Sequence, residues 1–264
     1  RRDIDVNVVG VNHFTWFTSA SCRGVDLFPV YKAYAEEHYD VGYDEPGKDW
    51  TKSTFDSMNR VKFDLFLRYG SIAAAGDRHL AEFMPGDLYL ADPETVKKWK
   101  FGLTTVAWRE QELKERLEKS GKLVAGQSDV SLEPSGEEGV LLMKALCGLG
   151  RMVSNVNFPN RAGQIPNLPR SEVVETNVVL EQDAVRPLYA GPMPENILKL
   201  TEPHVRNHAL ILEAAMNCDY TPAFEALMQD PLVAGRITEA EGDALLREMI
   251  RNTLAYLPKP WQNI

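Results

Sequence analysis

The chain has 264 residues, of which 44% are hydrophobic and 25% charged, and its formal net charge is −9 at pH 7. This composition predicts a globular protein with a substantial core, and it argues against nucleic acid and anionic membranes as partners because no basic cluster offsets the acidic balance. No apolar run approaches the ~20 residues of a membrane span. The three cysteines are far apart and form no recognisable disulfide or metal motif, so we expect a cytoplasmic protein. The chain starts at an arginine and enters an apparent strand almost at once, and we expect it to be a portion of a longer protein.

The first 70 residues predict one strand and two helices. A run of β-branched and aromatic residues over 6–20 predicts the strand, with His13 in its middle on one of the two faces. Helical spacing predicts a helix over 27–39. A second helix is expected to be capped by Ser53 and to end at Gly70.

A cluster of ionisable residues follows a run of small residues and precedes Pro85. Asp77, Arg78, His79 and Glu82 form this cluster. Asp77 could act as a general base if it is partly buried, and Arg78 could keep it ionised or bind substrate oxygens. The alternative is a short helix capped by Asp77, with its charges in solvent and a local hydrogen bond between His79 and Glu82.

The second half of the chain predicts more helices and two further strands. A helix over 104–120 carries a charged, solvated face, and a buried helix is expected over 137–149. Strands are expected over 152–158 and 172–180, joined by a turn-rich connection. The remainder predicts three helices, over 202–217, 222–229 and 238–255, and the Thr-Glu-Ala-Glu start of the last one at Thr238 resembles a capping box. Helices and strands without regular alternation indicate an α+β fold, and no glycine-rich dinucleotide-binding loop follows a strand.

Three histidines are candidates for metal binding. His13 is a single residue among apolar neighbours, and a histidine in that position is more often a hydrogen-bonded core residue than a ligand. His204 and His208 are four residues apart after Pro203, in a helix that we expect Thr201 to cap. That spacing suits two metal ligands on one helical face. It also suits a helix whose apolar, core-facing stripe includes one of the two histidines.

Short motifs occur in a fixed order along nearly the whole chain. They include GVNHFTW at residues 10–16 and AGDRHLAEF at residues 75–83. The later ones are NFPN at 157–160, IPNLP at 165–169, VVE at 173–175 and DPLV at 230–233. Together they resemble the C-terminal part of glycoside hydrolase family 4. Residues 14–16 and 25–29 are most similar to the α-galacturonidase branch of that family.

The resemblance implies an oxidation and elimination mechanism instead of the usual pair of carboxylates. NAD⁺ would oxidise the sugar at C3, a base would remove the acidified C2 proton, and the glycosidic oxygen would leave. Water would then add and NADH would restore C3. A divalent metal, usually Mn²⁺, would bind the C2 and C3 oxygens as a Lewis acid. The full enzyme would hydrolyse α-galacturonides; the alternatives are an α-galactosidase or α-glucosidase of the same family, or a stand-alone, non-catalytic sugar-binding or interaction domain.

The resemblance also implies roles for five residues. His13 would be a metal ligand, and Asp77 would be the C2 base, at a position where phosphoglycoside-cleaving members carry a tyrosine. Asn12, Arg78 and His79 would bind the substrate. The family's other metal ligand, a cysteine upstream of the Asn-His element, and its N-terminal Rossmann domain have no counterpart in this sequence. The resemblance therefore implies no NAD site and half a metal site in this chain, which would be inactive alone.

The same family resemblance gives the expected architecture. Residues 1–264 would form one substrate and oligomerisation domain, similar to the C-terminal domain of lactate and malate dehydrogenases. Family members form dimers or tetramers, so we expect a homo-oligomer. Without the Rossmann domain, one face of the chain should carry a large apolar patch.

Overall fold

Helices and two antiparallel sheets make up the fold, and the computed structural model describes residues 3–43, 46–129 and 137–263. The strands are β1 (Ile4–Val11), β2 (Phe14–Cys22), β3 (Val25–Asp26), β4 (Ile72–Ala73), β5 (Met152–Pro159), β6 (Val173–Glu181) and β7 (Ala184–Pro187). The α-helices are α1 (Phe28–His38), α2 (Arg60–Tyr69), α3 (Asp77–Glu82), α4 (Pro93–Trp99), α5 (Val106–Val124), α6 (Gly139–Leu146), α7 (Glu195–Asn217), α8 (Tyr220–Gln229) and α9 (Glu239–Thr253). The expected α+β class is confirmed.

The first sheet is built on a hairpin of β1 and β2. Val11 pairs with Phe14 at its closed end, and β3 and β4 both pair with β2. The prediction of one strand over 6–20 is wrong, because Asn12 and His13 form a tight turn. His13 has a φ of 63°, in the left-handed region that histidine and asparagine enter more readily than most residues. The turn places His13 at the tip of the hairpin, not in the middle of a strand.

The second sheet has the order β5-β6-β7 and is antiparallel throughout. Its first two strands were predicted, whereas β7 was not. Two asparagines tie the first sheet to this part of the chain. The Asn177 Nδ2 atom donates to the Val6 carbonyl oxygen at 2.7 Å, and the Asn7 Nδ2 atom donates to the Ala190 carbonyl oxygen at 2.8 Å. The bond from Asn177 joins β6 to β1.

Helix α2 ends as predicted but begins later. Gly70 has a φ of 70° and its N–H donates to the Phe66 carbonyl oxygen. The predicted start at Ser53 is wrong. Its hydroxyl accepts from the Phe55 N–H two residues on, and Ser57 forms a β-bridge with Phe101, which holds this segment extended. A local side-chain turn of this kind competes with helix initiation.

Two further helices differ from their predictions. Only Ala145 of α6 is buried, so this helix is not the buried one expected over 137–149. Helix α7 begins at Glu195 and contains Pro203, so Thr201 does not cap it; the Thr201 hydroxyl instead donates to the Ile197 carbonyl oxygen at 3.0 Å. Burial of this helix in the main core outweighs the missing N–H of Pro203. The predicted capping box of α9, from Thr238 to Glu241, is confirmed.

The main core holds the hairpin against α2, α3 and α7. Trp16 and Phe14 of β2, Leu65 of α2, Leu80 of α3 and Ile197 of α7 belong to it and are fully buried. This packing brings the turn of the hairpin close to the start of α3. None of the described helices is both long and apolar enough to cross a membrane.

Candidate functional site

Asp77 is the first residue of α3 and lies inside the protein. Its side chain is 0% exposed. The Oδ1 atom accepts from the backbone N–H of Lys62 at 3.2 Å, whereas the Oδ2 atom is buried without a hydrogen-bond partner. Lys62 lies in the first turn of α2, and the N-cap residue before this helix, Asn59, makes no side-chain cap. Asp77 therefore caps α2, a neighbouring helix, and not its own helix as the alternative interpretation proposed.

Burial controls the acidity of this carboxyl group. Removal from water raises the pKa of Asp77 to about 6, because the charged form loses hydration. The hydrogen bond from the Lys62 amide, the charge of Lys62 and weaker contacts with the Val61 amide and the Ser57 hydroxyl act in the opposite direction and are the smaller effects. A carboxyl group that titrates near neutral pH is suited to proton transfer.

The hairpin turn and the cluster of ionisable residues in α3 meet at a pair of histidines. The rings of His13 and His79 have centroids 4.7 Å apart. The His79 Nδ1 atom also lies 3.3 Å from the Glu82 Oε2 atom, which is the local contact expected from their spacing. His13 is exposed at the turn, whereas His79 is half-buried. An exposed imidazole at this turn can act as a metal ligand.

Arg78 turns away from this pair. Its Nη1 atom donates to the Thr54 carbonyl oxygen at 3.0 Å, and its guanidinium carbon lies 4.9 Å from the centre of the Phe55 ring. A guanidinium has five N–H donors, so the bond to Thr54 leaves others for a ligand.

Asn12 contacts a segment that is distant in sequence. Its Oδ1 atom accepts from the Asn157 Nδ2 atom at 3.0 Å, which joins the hairpin turn to β5. These two asparagines line a groove together with residues from the segment before β6 and from α7. The polar residues of this groove are Asn12, Asn157, Ser171, Glu172 and His208. The sequence analysis predicted a substrate-binding role for Asn12. It included Asn157 in a motif without a role in the site, and it gave no role to Glu172.

His204 and His208 have separate partners. The His204 Nε2 atom lies 2.8 Å from the Phe83 carbonyl oxygen, and burial lowers the pKa of this histidine. The His208 Nδ1 atom lies 2.9 Å from the Glu172 Oε1 atom. No group of three or more His, Cys, Asp or Glu side chains suited to a metal ion occurs within the described ranges. The His204–His208 spacing therefore does not build a metal centre there, and His13 stands as a single potential ligand.

Comparison with known proteins identifies a family. The model of the family 4 glycosyl hydrolase C-terminal domain matches residues 8–233. An α-galacturonidase of Lachnoclostridium phytofermentans is 55% identical over 261 residues, which are 99% of this chain and 56% of that protein. An α-galacturonidase of Thermoanaerobacter italicus is 48% identical over 261 residues, covering 99% of this chain and 57% of that protein. The chain thus spans about half the length of these relatives.

Solved structures show the same fold. The crystal structure of lplD from Bacillus subtilis, described as a glucosidase, matches with a TM-score of 0.86 and 43% identity over 94% of this chain and 56% of that one. A 6-phospho-α-glucosidase from gut microorganisms, in complex with NAD and Mn²⁺, matches with a TM-score of 0.71 and 19% identity over 97% of this chain and 56% of that one. At that identity the second match shows the fold alone.

Proposed function

This chain belongs to family 4 of the glycosyl hydrolases, and we propose that it is the C-terminal part of an α-galacturonidase that depends on NAD and Mn²⁺. The observation that carries the proposal is the 55% identity to an α-galacturonidase over 99% of this chain. The meeting of His13 and His79 supports it, because it brings two separate motifs of the sequence together. We propose that residues 1–264 act as one substrate domain of a cytoplasmic homo-oligomer.

The proposed metal site is supported by the chemistry of one donor. Bound Mn²⁺ would act as a Lewis acid on sugar oxygens, and the bound nicotinamide would exchange a hydride with the sugar. Of the described residues, His13 offers an exposed imidazole at the hairpin turn. The remaining ligands and the nicotinamide site would come from the N-terminal part of the full enzyme. This chain alone is therefore proposed to be inactive.

The proposed base is Asp77, and its position gives it a defined task. Its raised pKa and unpartnered Oδ2 atom suit removal of the C2 proton of the sugar. The side chain is fully buried, so this role requires that the sugar gain access to the Oδ2 atom. Asn12, Arg78 and His79 are the proposed substrate contacts, and the bond from Asn157 holds Asn12 in place.

The relatives also favour one substrate over another. An α-galactosidase of Bacillus subtilis is 25% identical to this chain over 235 residues. This is about half the 55% identity between this chain and the α-galacturonidase from Lachnoclostridium phytofermentans. An α-galactosidase or α-glucosidase is therefore the second candidate. A non-catalytic sugar-binding domain is the third, and it would apply if no catalytic partner exists.

A comparison of aryl glycosides tests the proposed substrate. The full reading frame that contains this chain is expressed and supplied with NAD⁺ and Mn²⁺. Hydrolysis of the p-nitrophenyl α-galacturonide, α-galactoside and α-glucoside is then measured. We expect kcat/KM to be highest for the α-galacturonide; a preference for either neutral sugar would assign the second candidate.

A further inference from the structure

We propose that His208, held by Glu172, is a further substrate-binding residue that contacts the sugar carboxylate in the groove beside Asn12. The inference rests on the proposed function, since it assigns the carboxylate of a uronide to a place in the same site. Glu172 acts through His208 and is a positioning residue.

The groove brings together polar side chains from four separate parts of the chain. Asn12 comes from the hairpin turn, Asn157 from β5, Glu172 from the segment before β6, and His208 from α7. Asn12 and Asn157 are hydrogen-bonded to each other across this groove. Because His13 follows Asn12 directly, the groove begins next to the proposed metal ligand.

The pair of His208 and Glu172 fixes the orientation of the imidazole. The His208 Nδ1 atom lies 2.9 Å from the Glu172 Oε1 atom, and a carboxylate can only accept, so Nδ1 carries the hydrogen. The Glu172 side chain is 9% exposed and that of His208 is 44% exposed. The buried Glu172 carboxylate thus fixes the Nδ1 side of the His208 ring. The Nε2 side of the ring is left for a ligand.

Charge makes His208 the natural contact for a carboxylate. Of the residues that line this groove, His208 is the one whose side chain can carry a positive charge. The nearby Glu172 would repel a uronide unless a cation stood between the two carboxylates. An imidazolium in that position would donate from Nδ1 to Glu172 and from Nε2 to the sugar carboxylate.

Arg78 is the other cation of the proposed site, but it does not line this groove. Its guanidinium lies against Thr54 and Phe55. The carboxylate contact in this groove is therefore assigned to His208 and not to Arg78.

Substitution in the full-length enzyme separates this role from a structural one. His208→Gln removes the cation and keeps a polar side chain of similar reach. We expect the KM for the aryl α-galacturonide to rise about ten- to a hundred-fold, as for loss of a charge-assisted hydrogen bond, with kcat changed much less. The KM for the aryl α-galactoside should change by less than about three-fold, because that sugar lacks the carboxylate.

Two further variants complete the test. Glu172→Gln should shift the same KM in the same direction but less, because an amide oxygen can still accept from Nδ1. His38→Gln, on α1 and outside the groove, is the matched control and should leave both KM values unchanged. An unchanged KM in His208→Gln, or equal losses for both sugars, overturns the inference.

A binding measurement keeps the inference testable if the substrate proposal fails. If the full-length protein does not cleave the galacturonide, calorimetric titration with D-galacturonate and D-galactose decides. Tighter binding of galacturonate that is lost in His208→Gln supports the inference about His208. Equal binding by the wild type and the variant overturns it.

Discussion

Asp77 combines two tasks at the scale of a single residue. Its Oδ1 atom satisfies the first turn of α2, while its buried Oδ2 atom has no partner. A buried oxygen without a partner destabilises the folded protein, and such arrangements are concentrated at functional sites. We therefore interpret the position of Asp77 as structural support for α2 and as preparation of a proposed base.

Substitution of Asp77 should change how stability depends on pH. The folded-state pKa of about 6 lies above the unfolded value of 3.8, so the folded protein binds more protons between these values. The contribution of Asp77 to the free energy of unfolding is therefore full below the unfolded value and is lost as pH rises through about 6. The loss is on the order of 2 to 3 kcal/mol.

Asp77→Asn should remove this dependence, because the amide is neutral and its oxygen can still accept from Lys62. Urea unfolding at pH 4 and pH 7 should show the variant gaining stability relative to the wild type at the higher pH. Asp87→Asn, at an exposed aspartate, is the control and should show no such gain. Parallel pH profiles for Asp77→Asn and the wild type would contradict the burial effect.

At the scale of the element, a glycine that ends one helix and a glycine inside another have opposite effects on stability. Gly70 terminates α2 with a φ of 70°, whereas Gly121 lies within α5 at an ordinary helical φ. A Cβ atom at either position would meet no other atom within 4 Å. The backbone conformation alone therefore decides the effect of adding a methyl group.

Gly70→Ala should lower the free energy of unfolding by about 1 kcal/mol, because alanine is strained in the left-handed region. Gly121→Ala should raise it by about 0.5 to 1 kcal/mol, because glycine costs more entropy than alanine inside a helix. Urea denaturation of both variants measures the difference. If both substitutions changed the free energy of unfolding in the same direction, backbone conformation would not be what decides their effects.

The sequence predicted elements well where the signal was local. Gly70, the capping box at Thr238 and strands β5 and β6 follow from residues within a few positions of each element. The hairpin turn was missed because β-branched and aromatic residues continue on both sides of Asn12 and His13, without glycine or proline at the turn itself. The predicted range of α7 was too short, because proline inside a sequence normally interrupts a helix and Pro203 lies near the predicted start. Tertiary packing outweighs this local effect.

The candidate site shows the same division between local and distant contacts. Local spacing identified the contact of His79 with Glu82. In contrast, Asn12 and Asn157 are 145 positions apart, and His208 and Glu172 are 36 apart, so no window of sequence contains both partners. The complete burial of Asp77 also depends on packing between elements, which a sequence pattern does not specify.

At the scale of the whole molecule, α5 carries several large apolar side chains that are exposed. Four residues at intervals of seven, four and seven share one face of this helix. Val106, Leu113, Leu117 and Val124 are 75%, 58%, 64% and 91% exposed. No residue of α5 is buried. An apolar stripe of this length indicates a surface that promotes association when it is uncovered.

Leu117→Glu should therefore reduce self-association of the isolated chain. A charge in the centre of the stripe opposes burial against another molecule, so the weight-average mass in analytical ultracentrifugation should fall. Val30→Glu, at a single exposed apolar residue of α1, is the matched control and should leave the mass unchanged. Equal effects of the two substitutions would show that net charge, not the stripe, controls association.

The cofactor dependence of α-galacturonide hydrolysis tests the central proposal most directly. Turnover is measured for the full-length protein and for this 264-residue chain, each with Mn²⁺ and with or without NAD⁺. We predict turnover by the full-length protein that requires NAD⁺, and none by the 264-residue chain. Turnover by the chain alone, or by the full-length protein after complete removal of NAD⁺, would contradict the account.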